Sequence, residues 1–104
     1  MKPAHQTAEG ERVSVWVLSH GGRYMGRFVV TRSKAQVKTA TLTLFERDNQ
    51  KFHADTERGQ YCPESDLLAI ILRRWGYPDL AGMADAGNIN RAFEAFGFEC
   101  WGVL

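Results

Sequence analysis

The chain has 104 residues and a net charge of +1, and 44% of its residues are hydrophobic and 24% charged. This length and composition fit one globular domain with one core and speak against a disordered chain. No apolar run reaches the ~20 residues that a membrane-spanning helix needs, and the first residues lack the apolar segment of a secretion signal. Two cysteines without C-x-x-C spacing predict a reducing compartment. We therefore expect a cytoplasmic protein that does not associate with membranes.

The charged side chains are unevenly distributed along the chain. Residues 1–40 carry seven basic and two acidic side chains, whereas residues 41–104 carry six basic and ten acidic ones. Such asymmetry is typical of interaction surfaces, but solvated strands and helix faces also need charges of some sign. Both explanations stay open at this point.

The first half of the chain has the alternation of β-strands. Residues 12–19 and 24–32 are rich in β-branched and aromatic side chains, and the glycines at 21 and 22 between them predict a hairpin. Residues 37–46 alternate most clearly, with leucine and alanine on one face and threonine on the other. A short fourth run follows at 51–56. Together these runs predict an antiparallel meander of three to four strands.

One face of this sheet is expected to remain in water, because the helices of such a chain can cover only one side. The threonine stripe on the third strand, with two polar side chains of the second, predicts that open face. Its members are Thr39, Thr41, Thr43, Arg27 and Thr31.

The second half of the chain has the spacing of helices. Between Pro63 and Gly76 the apolar side chains recur at three- and four-residue steps, which predicts a helix that Gly76 and Pro78 end. After a small-residue connector at 79–87, which has room for one helical turn at 80–84, Asn88 begins a second short helix that Gly97 closes. The last residues predict a strand that completes the sheet. The expected fold is one α+β domain over residues 1–104, with two short helices packed on one face and a flexible segment at 1–11.

The stretch "SHGGRYMGR" is glycine-rich, but it does not have the pattern of a nucleotide-binding loop. A dinucleotide fingerprint needs G-x-G-x-x-G before a helix, and a P-loop needs G-x-x-x-x-G-K-[ST]. Here Gly21, Gly22 and Gly26 have the wrong spacing, and a strand follows them. The stretch predicts a hairpin bend, with Gly26 at a bulge or close to a neighbouring strand.

Catalytic and metal-binding residues are not brought together by sequence spacing. Cys62 precedes a helix start, where the dipole would stabilise a thiolate, and His20 and His53 are candidate bases. A small cysteine-dependent enzyme is therefore one hypothesis. His5 and Cys100 complete the set of metal-ligand types, but no pair has the spacing of a zinc site. We expect neither a metal nor a cofactor and, on balance, no enzyme.

A nucleic-acid-binding module is the stronger alternative. Basic side chains cluster on the hairpin 23–38 beside an aromatic one, as in proteins that bind single strands. The computed pI of about 7.8, however, is below the value above 9 that is usual for such domains. The residues of this hypothesis are Arg23, Tyr24, Arg27, Arg32, Lys34 and Lys38.

Binding of a protein partner uses the same charge asymmetry. A partner of complementary charge would associate faster with a basic edge and an acidic helical half, and the charges would fix the orientation in which it binds. The acidic candidates for this contact are Asp79, Asp85 and Glu94.

Three segments carry a resemblance: "TATLTLFERDNQKF", "RGQYCPESDLLAIILRRWG" and "INRAFEAFGFECWGVL". In size and layout the chain resembles the small accessory proteins of prophages and plasmids, some of which are anti-CRISPR inhibitors. The resemblance implies a non-enzymatic inhibitor that occludes a surface of a host nucleoprotein complex, as a monomer or a homodimer. It transfers no functional residue. The strongly acidic composition of DNA-mimicking inhibitors is absent here, which favours occlusion of a protein surface.

Overall fold

The computed structural model describes residues 12–33, 37–45, 52–60 and 62–103. The segment 1–11, expected to be flexible, and the candidate Lys34 lie outside these residues. The described strands are β1 (Arg12–His20), β2 (Arg23–Arg32), β3 (Val37–Phe45), β4 (Phe52–Gln60) and β5 (Glu99–Val103). The helices are α1 (Glu64–Arg74), α2 (Pro78–Asp85) and α3 (Ile89–Phe96). The chain is therefore an α+β fold. No helix in the described part is long and apolar enough to span a membrane.

The strands β1 to β4 form the predicted antiparallel meander. Each pairs with its neighbour in sequence, and β5 pairs with the free side of β1, so the order is β4-β3-β2-β1-β5. The hairpin between β1 and β2 turns at Gly21 and Gly22, whose φ angles of 58° and 79° suit glycine. This confirms that the glycine-rich stretch is a hairpin bend.

The two faces of the meander differ in what they contact. On one face the buried side chains Phe28, Val30, Ala40 and Leu42 meet the helices. On the other face Thr39 pairs with Thr31 and Thr43 with Arg27, as the threonine stripe predicted. Valines of β1 and β2 share that second face, and most of its side chains are half-buried by their neighbours on the sheet.

The described residues contain three helices, where the sequence predicted two. Most of the eight-residue helix α2, which begins at Pro78, lies in residues 79–87, interpreted as a connector with room for one helical turn. Its side chains are mostly small: Ala81 and Ala84 are buried and Leu80 and Met83 pack against the core, so its apolar stripe is short. Pro78 at its start and Gly87 after its end were the signals that remained.

All three helices end in the same way. Gly76, Gly87 and Gly97 follow them with φ angles of 86°, 87° and 104°. In each case the glycine N–H and the next N–H donate to carbonyls of the last turn, which is the Schellman pattern. The chain therefore leaves each helix in a fixed direction, and the residue after the glycine has a defined place.

The core lies between the helices and the covered face of the sheet. Helix α1 packs over β3 and β4, α3 lies beside β5, and α2 contacts both of the other helices. Phe28 is at the centre, with ring centroids 5.2 Å from Trp16 and 5.9 Å from Phe93. Trp16 is therefore a core residue.

Ion pairs fasten α1 to the edge strand β4. The guanidinium group of Arg74 contacts the carboxylate of Glu57 and lies 3.2 Å from that of Asp55. These acidic side chains point toward the helix layer from β4, which is the edge strand among the described strands. Charges on such an edge discourage pairing with another chain.

Candidate functional site

An aromatic cleft of about 440 Å³ opens at one end of the sheet. At this end β1 and β3 finish and β2 and β4 begin. Half of its lining comes from the C-terminal ends of two helices. At each end an aromatic residue, a glycine and a second aromatic residue follow one another, and the second one is positioned by the Schellman hydrogen bonds. The four side chains are Trp75 and Tyr77 after α1, and Phe96 and Phe98 at the end of α3.

The strands supply the other half of the lining, and a β-bulge contributes one of its members. The pairing of β1 with β2 shifts between Leu18 and Ser19, which leaves Met25 as an extra residue. Met25 is therefore buried next to Gly26, whereas plain alternation would place it with Arg27 on the open face. Bulges commonly redirect a side chain in this way. Leu44, Phe45 and His53 complete the wall.

Gly26 makes the bulge possible. A Cβ at this position would collide with the carbonyl oxygen of Thr43 and approach Leu44. The sequence prediction for Gly26, a bulge with a close neighbouring strand, is confirmed. A glycine in β2 therefore determines how one wall of the cleft is built.

The rings of the cleft are in mutual contact, and several are accessible. Tyr77 and Phe96 have centroids 4.6 Å apart, Phe96 stacks on Phe98 at 5.2 Å, and His53 lies 5.8 Å from Trp75. Of the four large hydrophobic side chains that are exposed in the described residues, two line the cleft: Phe45 (39% exposed) and Tyr77 (42%). A third, Tyr24 (49%), contacts the ring of Phe45 at 5.8 Å.

The side chains of the cleft suit binding, and few of them carry polar groups. Among its described lining side chains, only the imidazole of His53, the phenol of Tyr77 and the indole of Trp75 carry a nitrogen or oxygen atom. Mostly apolar walls with a few polar groups are typical of ligand pockets, and a volume of this size falls within their range. Aromatic and methionine side chains are also those enriched at protein interfaces.

The basic candidates of the hairpin are divided among three places. Arg23 and Tyr24 are exposed at the cleft end, and Arg27 is exposed on the open face. At the opposite end of the sheet, the carboxylate of Glu64 contacts Arg32 and lies 3.8 Å from the ammonium group of Lys38. The sheet thus does not gather the predicted set into one basic surface.

The acidic candidates are also separated. Asp85 forms an ion pair with Arg73 on α1. Asp79 is exposed in the first turn of α2, beside the cleft residue Tyr77. Glu94 is exposed on α3 and lines a different depression together with Trp16. Of the three, Asp79 alone lies next to the aromatic cleft.

The structure does not bring Cys62 together with a histidine base. His53 is the second residue of β4, at the cleft end, whereas Gly59, whose missing Cβ leaves room for the Cys62 sulfur, lies six residues along the same strand. That separation is about 20 Å in an extended strand. His20 also lies at the cleft end, where its Nδ1 is 3.0 Å from the carbonyl oxygen of Gly97. In the described residues no group of three or more His, Cys, Asp or Glu side chains is placed to hold a metal ion.

The sequence interpretation missed the cleft, although it contains a signal for it. The triplets Trp75-Gly76-Tyr77 and Phe96-Gly97-Phe98 repeat an aromatic–glycine–aromatic pattern at two helix ends. The glycines were recognised as helix stops, but the aromatic residues on either side were not connected with one another. Their meeting depends on α2, which sets the spacing of α1 and α3.

Comparison of the chain with protein-family models, with curated proteins and with solved structures finds no match in any of the three.

Proposed function

We propose that this protein is a non-enzymatic binding protein that holds a protein or nucleoprotein partner through the aromatic cleft. The observation that carries the proposal is the gathering of eight side chains, six of them aromatic or imidazole, from two strand ends, a bulge and two helix ends. Leu44 belongs to the core and Trp75, Phe96 and Phe98 pack against it, whereas Phe45 and Tyr77 keep much of their surface exposed. Exposed apolar patches on small domains mark interaction sites.

The residue types of the cleft support binding to a protein. Tryptophan and tyrosine provide much of the energy at interface hot spots, and a methionine such as Met25 adapts to irregular partner surfaces. Tyr24 and Tyr77 at the mouth of the cleft are accessible to a partner without rearrangement. The free energy gained by covering them would anchor the complex.

Occlusion is the form of action that we propose for this binding. The resemblance to small accessory proteins of prophages and plasmids suggests a host nucleoprotein complex as the partner class. A protein of this size that is bound by an anchored patch would block whatever the covered surface normally contacts. No chemical step is needed for such inhibition or regulation.

Direct binding of nucleic acid is the second candidate, because Arg23, Tyr24 and Phe45 lie together at the cleft end. Aromatic rings that stack on bases and basic groups that meet phosphates would both be present there. The ion pairs of Arg32 and Lys38 with Glu64 speak against it, since they neutralise part of the basic set.

Affinity capture with matched variants tests the proposal. The full chain, Tyr77→Ser and Ile70→Ser are immobilised and exposed to nuclease-treated bacterial lysate, and captured proteins are quantified by mass spectrometry. Ile70 is the control because its exposed fraction of 38% is similar to the 42% of Tyr77. It lies on α1 and does not line the cleft. We expect a partner that Ile70→Ser retains and that Tyr77→Ser captures roughly tenfold less or weaker.

Two further measurements separate the alternatives. Arg27→Glu reverses a charge on the open face, and it should leave capture unchanged if the cleft is the binding site. Equal capture by the wild type and Tyr77→Ser would contradict the proposal. Direct nucleic-acid binding would instead give a steep negative dependence of affinity on salt, weakened in the Arg23→Ala variant.

A further inference from the structure

The aromatic cleft continues into a second depression. A groove of about 470 Å³ lies on the other side of Tyr77 and Phe96, which line both cavities. Because the two rings form a shared wall, a ligand that fills both cavities must pass over them. An extended segment of chain has this shape, whereas a compact small molecule would fill only one cavity.

The two cavities differ in chemistry. The cleft is apolar and largely aromatic, which suits an aromatic or other large apolar side chain. The groove contains a carboxylate, that of Asp79, beside the apolar surfaces of Pro78, Leu80 and Ala95. No ion pair of Asp79 with another described residue occurs, and its side chain is exposed.

A basic side chain fits the groove better than an acidic or an apolar one. The aliphatic stem of a lysine or arginine would cover Pro78 and Leu80, and its charged end would reach Asp79. The ring of Tyr77 adds a face on which a cation is favourable. The N-terminus of α2 contributes about half a positive charge, which the full negative charge of Asp79 outweighs.

We propose, building on the function proposed above, that the partner segment is an extended peptide that places an aromatic side chain in the cleft and a lysine or arginine at Asp79. The side chain in the cleft supplies most of the affinity, and the basic residue supplies selectivity. A nucleic-acid strand is disfavoured at the same place because its phosphates would meet the carboxylate of Asp79.

Short synthetic peptides test this assignment with the full chain. The probes are acetyl-Trp-Gly-Lys-Lys-amide and acetyl-Lys-Lys-Gly-Trp-amide, which cover both chain directions. Two control peptides carry glutamate in place of lysine and test whether the positive charge matters. Two others carry glycine in place of tryptophan and test whether the aromatic side chain is needed. Binding is followed by the amide chemical shifts of the isotope-labelled protein, and the residues Gly76, Tyr77, Gly97 and Phe98 report on the two cavities.

We expect at least one lysine peptide to shift these amides and to bind roughly threefold or more tightly than its glutamate counterpart. The Asp79→Asn variant should lose this preference. Glu94→Gln removes the same charge from the exposed side of α3 and should keep it. The peptides without tryptophan should bind far more weakly.

Several results would overturn the assignment: no binding of any tryptophan peptide, equal binding of lysine and glutamate peptides, or a preference that survives Asp79→Asn. Stronger shifts of the same amides by oligothymidylate would assign the surface to nucleic acid instead. Failure here is distinguishable from failure of the proposed function. If Tyr77→Ser loses the captured partner while Asp79→Asn retains it, the cleft binds the partner but the groove does not select a basic residue.

Discussion

Tyr77 and Phe96 lie with their ring centroids 4.6 Å apart, although one follows α1 and the other ends α3. Tyr77 is held by the hydrogen bond from its N–H to the carbonyl of Leu72. The pair closes one side of the aromatic cleft and borders the groove. Tyr77 is 42% exposed, whereas Phe96 packs against the core, so Tyr77 is the surface member of the pair.

A contrast between Tyr77 and Phe93 tests this division. The variant Tyr77→Ala should lower the free energy of unfolding by only about 1 kcal/mol, the size of one aromatic contact at the surface. Phe93 is 1% exposed and contacts Phe28, so Phe93→Ala should cost about 3–5 kcal/mol. Urea unfolding followed by circular dichroism measures both. Equal losses would mean that Tyr77 is part of the core.

Substitution of glycine by alanine should have opposite effects on stability at the end of α1 and inside α2. Gly76 has a φ of 86°, so Gly76→Ala should destabilise the fold by about 1–2 kcal/mol and displace Tyr77. Gly82 lies inside α2 with open space around its Cα, and Gly82→Ala should stabilise it by about 0.5–1 kcal/mol.

Thermal unfolding of the two glycine variants decides the matter. A lower midpoint for Gly76→Ala together with a higher one for Gly82→Ala is the expected pair of results. If both substitutions stabilised the protein, the left-handed conformation at Gly76 would be wrong, and with it the placement of Tyr77 in the cleft wall.

Cys62 and Gly59 should be energetically coupled. A Cβ at position 59 would collide with the sulfur of Cys62 and approach the side chain of Leu67. Gly59→Ala should therefore destabilise the protein by about 1–3 kcal/mol through overpacking. In Cys62→Ala the sulfur is gone, so adding Gly59→Ala there should cost less. A double-mutant cycle measured in urea gives this coupling, and strictly additive values would exclude the contact.

Glu64 should contribute more to the stability of the fold than an acidic side chain at the surface. Its side chain is 18% exposed and meets Arg32 and Lys38, so Glu64→Gln should cost about 1–2 kcal/mol. Asp85 forms an ion pair with Arg73 in which both partners are exposed, and Asp85→Asn should change stability by about 0.5 kcal/mol or less.

The same pair of variants reports on the basic end of the sheet. Release of Arg32 and Lys38 from Glu64 should raise nonspecific affinity for single-stranded DNA in Glu64→Gln, with a steeper salt dependence than in the wild type. Asp85→Asn removes one negative charge elsewhere and serves as the control. An equal rise in both variants would indicate an effect of net charge alone.

The meander could be predicted because its signals are local. Alternation of Ala40, Leu42 and Leu44 with three threonines predicts which side chains share a face, and the leucine face lies in the core as expected, whereas the threonine face is more covered than predicted, with Thr43 buried. The hairpin was predictable for the same reason, since Gly21 and Gly22 alone supply its two positive φ angles.

The position of Met25 could not be read from alternation. One extra residue in β2 shifts every side chain before it to the other face, and Gly26 alone left a bulge and a close neighbouring strand as alternatives. Likewise α2 has mostly small side chains and a short apolar stripe, so its full length depends on tertiary packing against α1 and α3.

The sequence also could not show which of the predicted binding residues lie together in the fold. Arg32 and Lys38 are close to Arg27 in sequence, but only the folded sheet reveals that Glu64 from α1 contacts the first two. Tyr24 was predicted as a contact residue, and it contacts Phe45 at the mouth of the cleft; its role in binding stays a prediction. The cleft itself joins residues from both halves of the chain, which no single window of sequence contains.

The Schellman ends of α1 and α3 separate the residues that determine folding from those that line the cleft. Gly76 and Gly97 fix the backbone, while the neighbouring aromatic side chains at 77 and 98 can vary without disturbing a helix turn. Exchanges among tyrosine, phenylalanine and tryptophan at these two positions would reshape the cleft at little cost in stability. Such a scaffold can acquire a new lining while its own architecture stays constant.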